Sequence, residues 1–147
     1  MAKITPLIRF HFSKPASFTQ RTLVKNVLRD IFKKERTPLE QLQYVFCSDE
    51  YLLEINQQYL QHNYYTDIIT FDLSEKGGPV SGEIYISIDR VKENARHFQV
   101  PFQQELLRVI FHGALHLCGY KDKTKKDQEA MRKAEDKYLY YYLLKTK

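Results

Sequence analysis

The sequence predicts one α+β domain of 147 residues, a four-stranded mixed sheet carrying about five helices. Three observations point there. Apolar residues alternate in four short segments and recur at helical spacing in five longer ones. The order of these segments, β-α-β-α-β-β-α-α-α, suits three parallel strands joined by right-handed crossovers and a fourth added antiparallel by a hairpin. The turn-rich stretch "SEKGGPVSG" falls just before the last strand. No repeat, linker or low-complexity segment interrupts the chain, so residues 1–147 read as a single domain.

"ITPLIRFHF" alternates as a first strand. "SFTQRTLVKNVLRDIFKKE" then opens with a capping signature at Ser17 and Gln20. Its apolar residues Leu23, Val24, Val27, Leu28, Ile31 and Phe32 keep the helical period. "LQYVFCS" is a second strand. Ser48 caps a second helix whose first turn holds Asp49 and Glu50, where the helix dipole favours acids. "DIITFDL" and "EIYISI" are the third and fourth strands. Three helices follow, one from Asp89, one from Pro101 to about Leu117, and one from Thr124 towards the C-terminus.

A hydrophobic content of 43% and a charged content of 28% describe an ordinary globular chain able to bury a core. No apolar run approaches a membrane span, and "MAKITPLIRF" lacks the apolar block of a signal peptide, so a cytoplasmic protein is expected. Cys47 and Cys118 are too few for a disulfide framework and read as reduced, largely buried thiols. The net charge of +5 is uneven. Residues 1–36 hold nine Lys and Arg against two Asp and Glu, residues 37–120 five against eleven, and residues 121–147 nine against five. Both flanks are basic and the middle acidic, which favours an anionic partner at the flanks.

The chemistry concentrates in "FHGALHLCGYKD", residues 111–122. His112 and His116 are four apart in a helical run and so share a face, as in the H-E-x-x-H zinc motif. Such a pair alone carries little weight. Gly119 can end the helix in a left-handed conformation and turn the chain back, which brings Asp122 within reach. The offsets match those of H-E-x-x-H-x-x-G-x-x-H, the metzincin pattern, with Asp122 in place of the third histidine. His112, His116 and Asp122 are therefore expected to hold one zinc ion with a position left open. The position of the peptidase glutamate is Gly113, which argues against proteolysis.

These residues resemble a known family. His112, Gly113, Leu115, His116, Leu117, Gly119 and Tyr120 are similar to the H-G-x-L-H-L-x-G-Y-D-H signature of the YbeY family, bacterial zinc endoribonucleases linked to ribosomal RNA maturation. Asn56, Tyr59, Thr66, Asp67 and Phe71 resemble its L-N-x-x-Y-R-G-K-D-x-P-T-D-V-L-S-F stretch, and Gly82, Glu83, Ile84 and Ile86 the G-D/E-I strand after it. The likeness runs from residue 50 to 135. It implies zinc-dependent cleavage of single-stranded RNA, in 3' end maturation of the small-subunit 16S RNA and in ribosome quality control. The partners implied are an RNA precursor or the small ribosomal subunit, with ribosomal proteins alongside. Two departures stand out. The family's last histidine is Asp122, preceded here by Lys121, and the arginine after its tyrosine is Leu60, with His62 the nearest substitute. Glu83 and Asp67, in the matched blocks, are the candidate proton shuttles.

A phosphodiester asks mainly for a Lewis acid, an activated hydroxyl and cations. Arg21, Lys25, Arg29 and Lys33 follow one another at i,i+4 along the first helix and are candidate phosphate contacts; otherwise they are a solvated face. Lys121, Lys123, Lys125 and Lys126 form a second basic group beside Asp122. Three functions fit the sequence: a zinc endoribonuclease, a zinc-containing assembly factor that Leu60 has left without cleavage, and a metallohydrolase of another substrate.

Overall fold

The computed structural model describes residues 5–147. Its elements are β1 (Leu7–Phe12), α1 (Arg21–Lys34), β2 (Leu39–Cys47), α2 (Asp49–Leu60), β3 (Ile68–Asp72), β4 (Val80–Ser87), α3 (Ile88–Phe98), α4 (Phe102–Leu117) and α5 (Lys125–Lys145). Four strands and five helices form one α+β unit. Ile4, assigned from its sequence to the first strand, lies outside the described residues.

The strands run in the order β1-β2-β4-β3. β1, β2 and β4 are parallel, and β3 pairs antiparallel with β4. The reversed strand is thus the third and not the fourth, and it forms the sheet's edge. Burial explains the choice. Ile84, Ile86 and Ser87 of β4 are fully buried, as suits a strand flanked on both sides, whereas β3 keeps Asp72 exposed and three of its five residues half-buried.

Leu42, Tyr44 and Phe46 of β2 and Ile84 and Ile86 of β4 share one face, and α1, α4 and α5 pack on it to make the main core. α2 covers part of the other face through a smaller cluster of Cys47, Leu52, Ile55 and Ile69. α4 is set tightly on the sheet. The buried Tyr44 hydroxyl donates to the Ile110 carbonyl at 2.8 Å. A Cβ on Gly113 would lie 3.0 Å from Ile68 Cδ1 and 3.1 Å from Ile84 Cδ1, so glycine permits the contact.

The first helix starts later than its capping signature suggests. Gln20 itself is the N-cap, in left-handed backbone with φ 57° and no side-chain cap bond. Phe18 is the cause: it is buried against Phe10 and Phe46, which commits the chain before it to an extended path. Ser48 does cap α2, accepting from the Tyr51 amide at 3.2 Å, and Thr124 caps α5 in a reciprocal pair with Asp127.

Candidate active site

The end of α4 is shaped by its sequence. At Gly119, φ 106°, the Gly119 amide donates to the His116 carbonyl and the Tyr120 amide to the Leu115 carbonyl, both at 3.1 Å. This Schellman closure turns the chain back across the helix face, as the glycine's placement suggested. The Tyr120 hydroxyl then donates to Glu35 Oε1 at 3.0 Å, which ties the returning chain to the end of α1.

The result is a cleft of about 270 Å³ between α4 and the edge strand, lined by Thr66, Asp67, Ile68, Thr70, Arg108, Val109, His112, His116 and Asp122. His112, His116, Asp122 and Asp67 therefore share one cavity. His112 Nε2 lies 3.5 Å from Asp122 Oδ2. Two donors of a tetrahedral zinc, at roughly 2.1 Å from the ion, sit about 3.4 Å apart, so this pair has a ligand-like separation. Among the described residues no group of three His, Cys, Asp or Glu side chains is already drawn together as a metal site; His112 and Asp122 are close as a pair. His116 lines the same cleft from an exposed position one turn on.

Sequence reasoning missed the network behind His112. Glu135 of α5, 2% exposed, places Oε2 2.6 Å from His112 Nδ1 and Oε1 3.1 Å from Arg108 Nη1. Arg108 also donates to both oxygens of Glu105, from Nε at 2.9 Å and from Nη2. Burial raises the pKa of Glu135, but His112 and Arg108 outweigh it and hold the carboxyl below its ordinary value. The carboxylate orients the His112 ring through Nδ1, and Nε2 on the other side of the ring faces Asp122 in the cleft. Glu105, Arg108 and His112 fall on one helix face at i, i+3 and i+7, a signal present in the sequence. Glu135 gave none.

Asp67 stands in the cleft with its carboxyl pushed up by burial, which Arg108 and His112 only partly offset. Glu83 is elsewhere. It points to the opposite face of the sheet, where Tyr85 donates to it at 3.1 Å in a second cavity with Tyr51, Tyr59 and Phe71. The sheet separates it from His112, which removes it as a proton shuttle for this site. Strand alternation carries the reason, since Gly82 and Ile84 face α4 and Glu83 between them cannot.

Leu60 and His62 do not line the cleft, nor do Arg21, Lys25, Arg29 and Lys33. Three of those four cations have local contacts instead. Arg21 lies 4.3 Å from the Phe12 ring centre, Lys25 5.2 Å from that of Phe10, and Arg29 Nε donates to the Pro6 carbonyl at 3.0 Å. Lys121, Lys123, Lys125 and Lys126 are exposed around Asp122. Burial pushes both the Cys47 and Cys118 thiols up to about 12, so neither is a nucleophile at neutral pH.

Fold and site define a small α+β protein with a helix-borne histidine pair and a carboxylate in a cleft at the open edge of a mixed sheet. The chain belongs to the endoribonuclease YbeY family, whose model, described as "Endoribonuclease YbeY", matches residues 9–142. It is 54% identical over 120 residues to Endoribonuclease YbeY of Cytophaga hutchinsonii, covering 82% of this chain and 84% of that one. To the Flavobacterium psychrophilum protein of the same name it is 45% identical over 139 residues, 95% and 99% of the two chains. The solution structure of TM1509 from Thermotoga maritima superposes with a TM-score of 0.64 at 33% identity, covering 92% of this chain and 88% of that one.

Proposed function

We propose that the whole chain, residues 1–147, acts in the cytoplasm as a zinc-dependent endoribonuclease on single-stranded ribosomal RNA precursors, in maturation of the 16S 3' end and ribosome quality control. The observation that carries the reading is the pairing of His112 Nε2 with Asp122 at 3.5 Å in a cleft that also holds His116, within a chain of the YbeY family. His112, His116 and Asp122 would hold one zinc ion. When bound, zinc supplies Lewis acidity to a phosphodiester. The protein's own groups do the rest. Glu135 fixes the His112 ring, and Asp67, its carboxyl pushed up by burial, lines the same cleft as the group that would move a proton. Gly113 backs onto Ile68 and Ile84, so no carboxylate can stand in the peptidase position.

A second reading keeps the zinc and the small-subunit partner but not the cleavage. Leu60 favours it, because Arg108, the one Lys or Arg among the described residues that lines the cleft, is already neutralised by Glu105 and Glu135. Incubating zinc-loaded protein with a defined 16S precursor separates the two. Metal-dependent cleavage that disappears in Asp122→Ala is the expected result. Intact precursor with full zinc occupancy would favour the assembly factor.

A further inference from the structure

The loop between α2 and β3 carries a feature for which the histidine cleft does not account. From Leu60 to Asp67 it reads Leu-Gln-His-Asn-Tyr-Tyr-Thr-Asp, with no lysine or arginine. Tyr64 and Tyr65 are 56% and 50% exposed. They are nevertheless held in place. Asn56 of α2, almost fully buried, donates from Nδ2 to the Tyr64 carbonyl at 2.8 Å, and the His62 amide donates back to the Asn56 carbonyl at 3.1 Å. The His62 and Tyr64 rings stack with centres 5.1 Å apart and planes 19° from parallel. The Tyr65 ring lies 5.3 Å from the Arg90 guanidinium, which is itself paired with Asp49 at 2.7 Å. Exposed rings that are already ordered lose little freedom when a flat ligand binds.

The loop also leads straight into the cleft, since Thr66 and Asp67 line it. Successive Cα atoms are 3.8 Å apart, so the Cα of Tyr64 lies within about 8 Å of that of Thr66. A polynucleotide entering from this side meets rings where a phosphate-binding surface would present cations.

We infer that His62, Tyr64 and Tyr65 form a stacking platform that seats unpaired bases of a single-stranded RNA beside the cleft. The endoribonuclease reading supplies the identity of the ligand; the platform adds how that ligand is held. Every base has a π-face, so the platform accepts any sequence, and it selects single strands because the bases of a duplex are already stacked on one another.

The test titrates metal-free protein into a single-stranded oligoribonucleotide containing 2-aminopurine, and into the same strand annealed to its complement. The wild type should quench the single strand and bind it more tightly than the duplex. Tyr64→Ala should weaken binding about 5- to 150-fold, while Tyr64→Trp retains it. The slope of log affinity against log salt should be equal in all three, because no phosphate contact is removed. Tyr64 lies outside both hydrophobic clusters, so an unchanged urea midpoint verifies folding. Absence of quenching, equal affinity for duplex, binding by Tyr64→Ala within twofold of wild type, or a changed salt slope would each overturn the platform. Cleavage by zinc-loaded protein is scored separately. Cleavage without platform-dependent binding overturns the platform alone, and platform-dependent binding without cleavage supports it while overturning the nuclease reading.

Discussion

Two single residues restrict what the cleft can do. Gly113 keeps α4 against β3 and β4, with Ile68 and Ile84 about a methyl group away from its backbone. Gly113→Ala should therefore lower stability by about 1–3 kcal/mol through overpacking. An unaltered urea midpoint would mean that α4 can shift off the sheet. Asp122 is the second residue. Asp122→His should keep about one equivalent of zinc by metal analysis, since the Schellman turn at Gly119 sets the backbone and histidine is an equally good ligand. Asp122→Ala should bind zinc more weakly, and equal retention by both variants would remove Asp122 from the ligand set. This part of the site was legible because His112, His116, Gly119 and Asp122 fit in one short window where spacing fixes geometry. Glu135 was not, because its partner His112 is 23 residues away and only the packing of α5 on α4 joins them.

Among the elements, α4 and α5 act as one clamp. Glu105, Arg108, Glu135 and His112 form a continuous chain of charge-assisted bonds between the two helices, closed off from water on the Glu105 and Glu135 side. A carboxamide at 135 can accept with only one of its two terminal atoms. Glu135→Gln cannot serve Arg108 and His112 together, and zinc affinity measured against a chelator should fall about 10- to 100-fold. Affinity within twofold of wild type would show that the His112 ring is fixed by other contacts. At the starts of α2 and α3 a different knot forms. Asp89 accepts from Lys14 and from the Asp49 amide at 2.9 Å, and these bonds hold its carboxyl below the usual carboxylate range. A depressed folded-state pKa contributes stability that is present above the unfolded value, about 3.9, and is lost as pH falls through the folded one. The stability difference between wild type and Asp89→Asn should be full at pH 7 and shrink below about pH 4. A difference that is constant across that range would mean that the ionised carboxylate contributes nothing.

On the scale of the whole molecule, strand order and charge show where sequence patterns lose their grip. A hairpin pairs β3 with β4 whichever of them lies beside β2, and the central place goes to β4, whose Ile84, Ile86 and Ser87 are fully buried. The basic stripe on α1 poses the same problem. Its i,i+4 spacing was visible, but the rings of Phe10 and Phe12 and the Pro6 carbonyl that occupy three of its cations come from the first strand and the residue just before it. None of the four stripe residues lines the cleft, while Lys121, Lys123, Lys125 and Lys126 are exposed around a residue that does. RNA that reaches His112 over the acidic middle of the chain should therefore be drawn in by the second group. Each phosphate contact on a single strand contributes about 0.7 to the slope of log affinity against log salt. Replacing the four lysines near Asp122 with Gln should flatten that slope by about 2–3, and replacing Arg21, Lys25, Arg29 and Lys33 should flatten it by less than about 1. The reverse ranking, measured with the same unstructured oligoribonucleotide, would place the RNA path across α1.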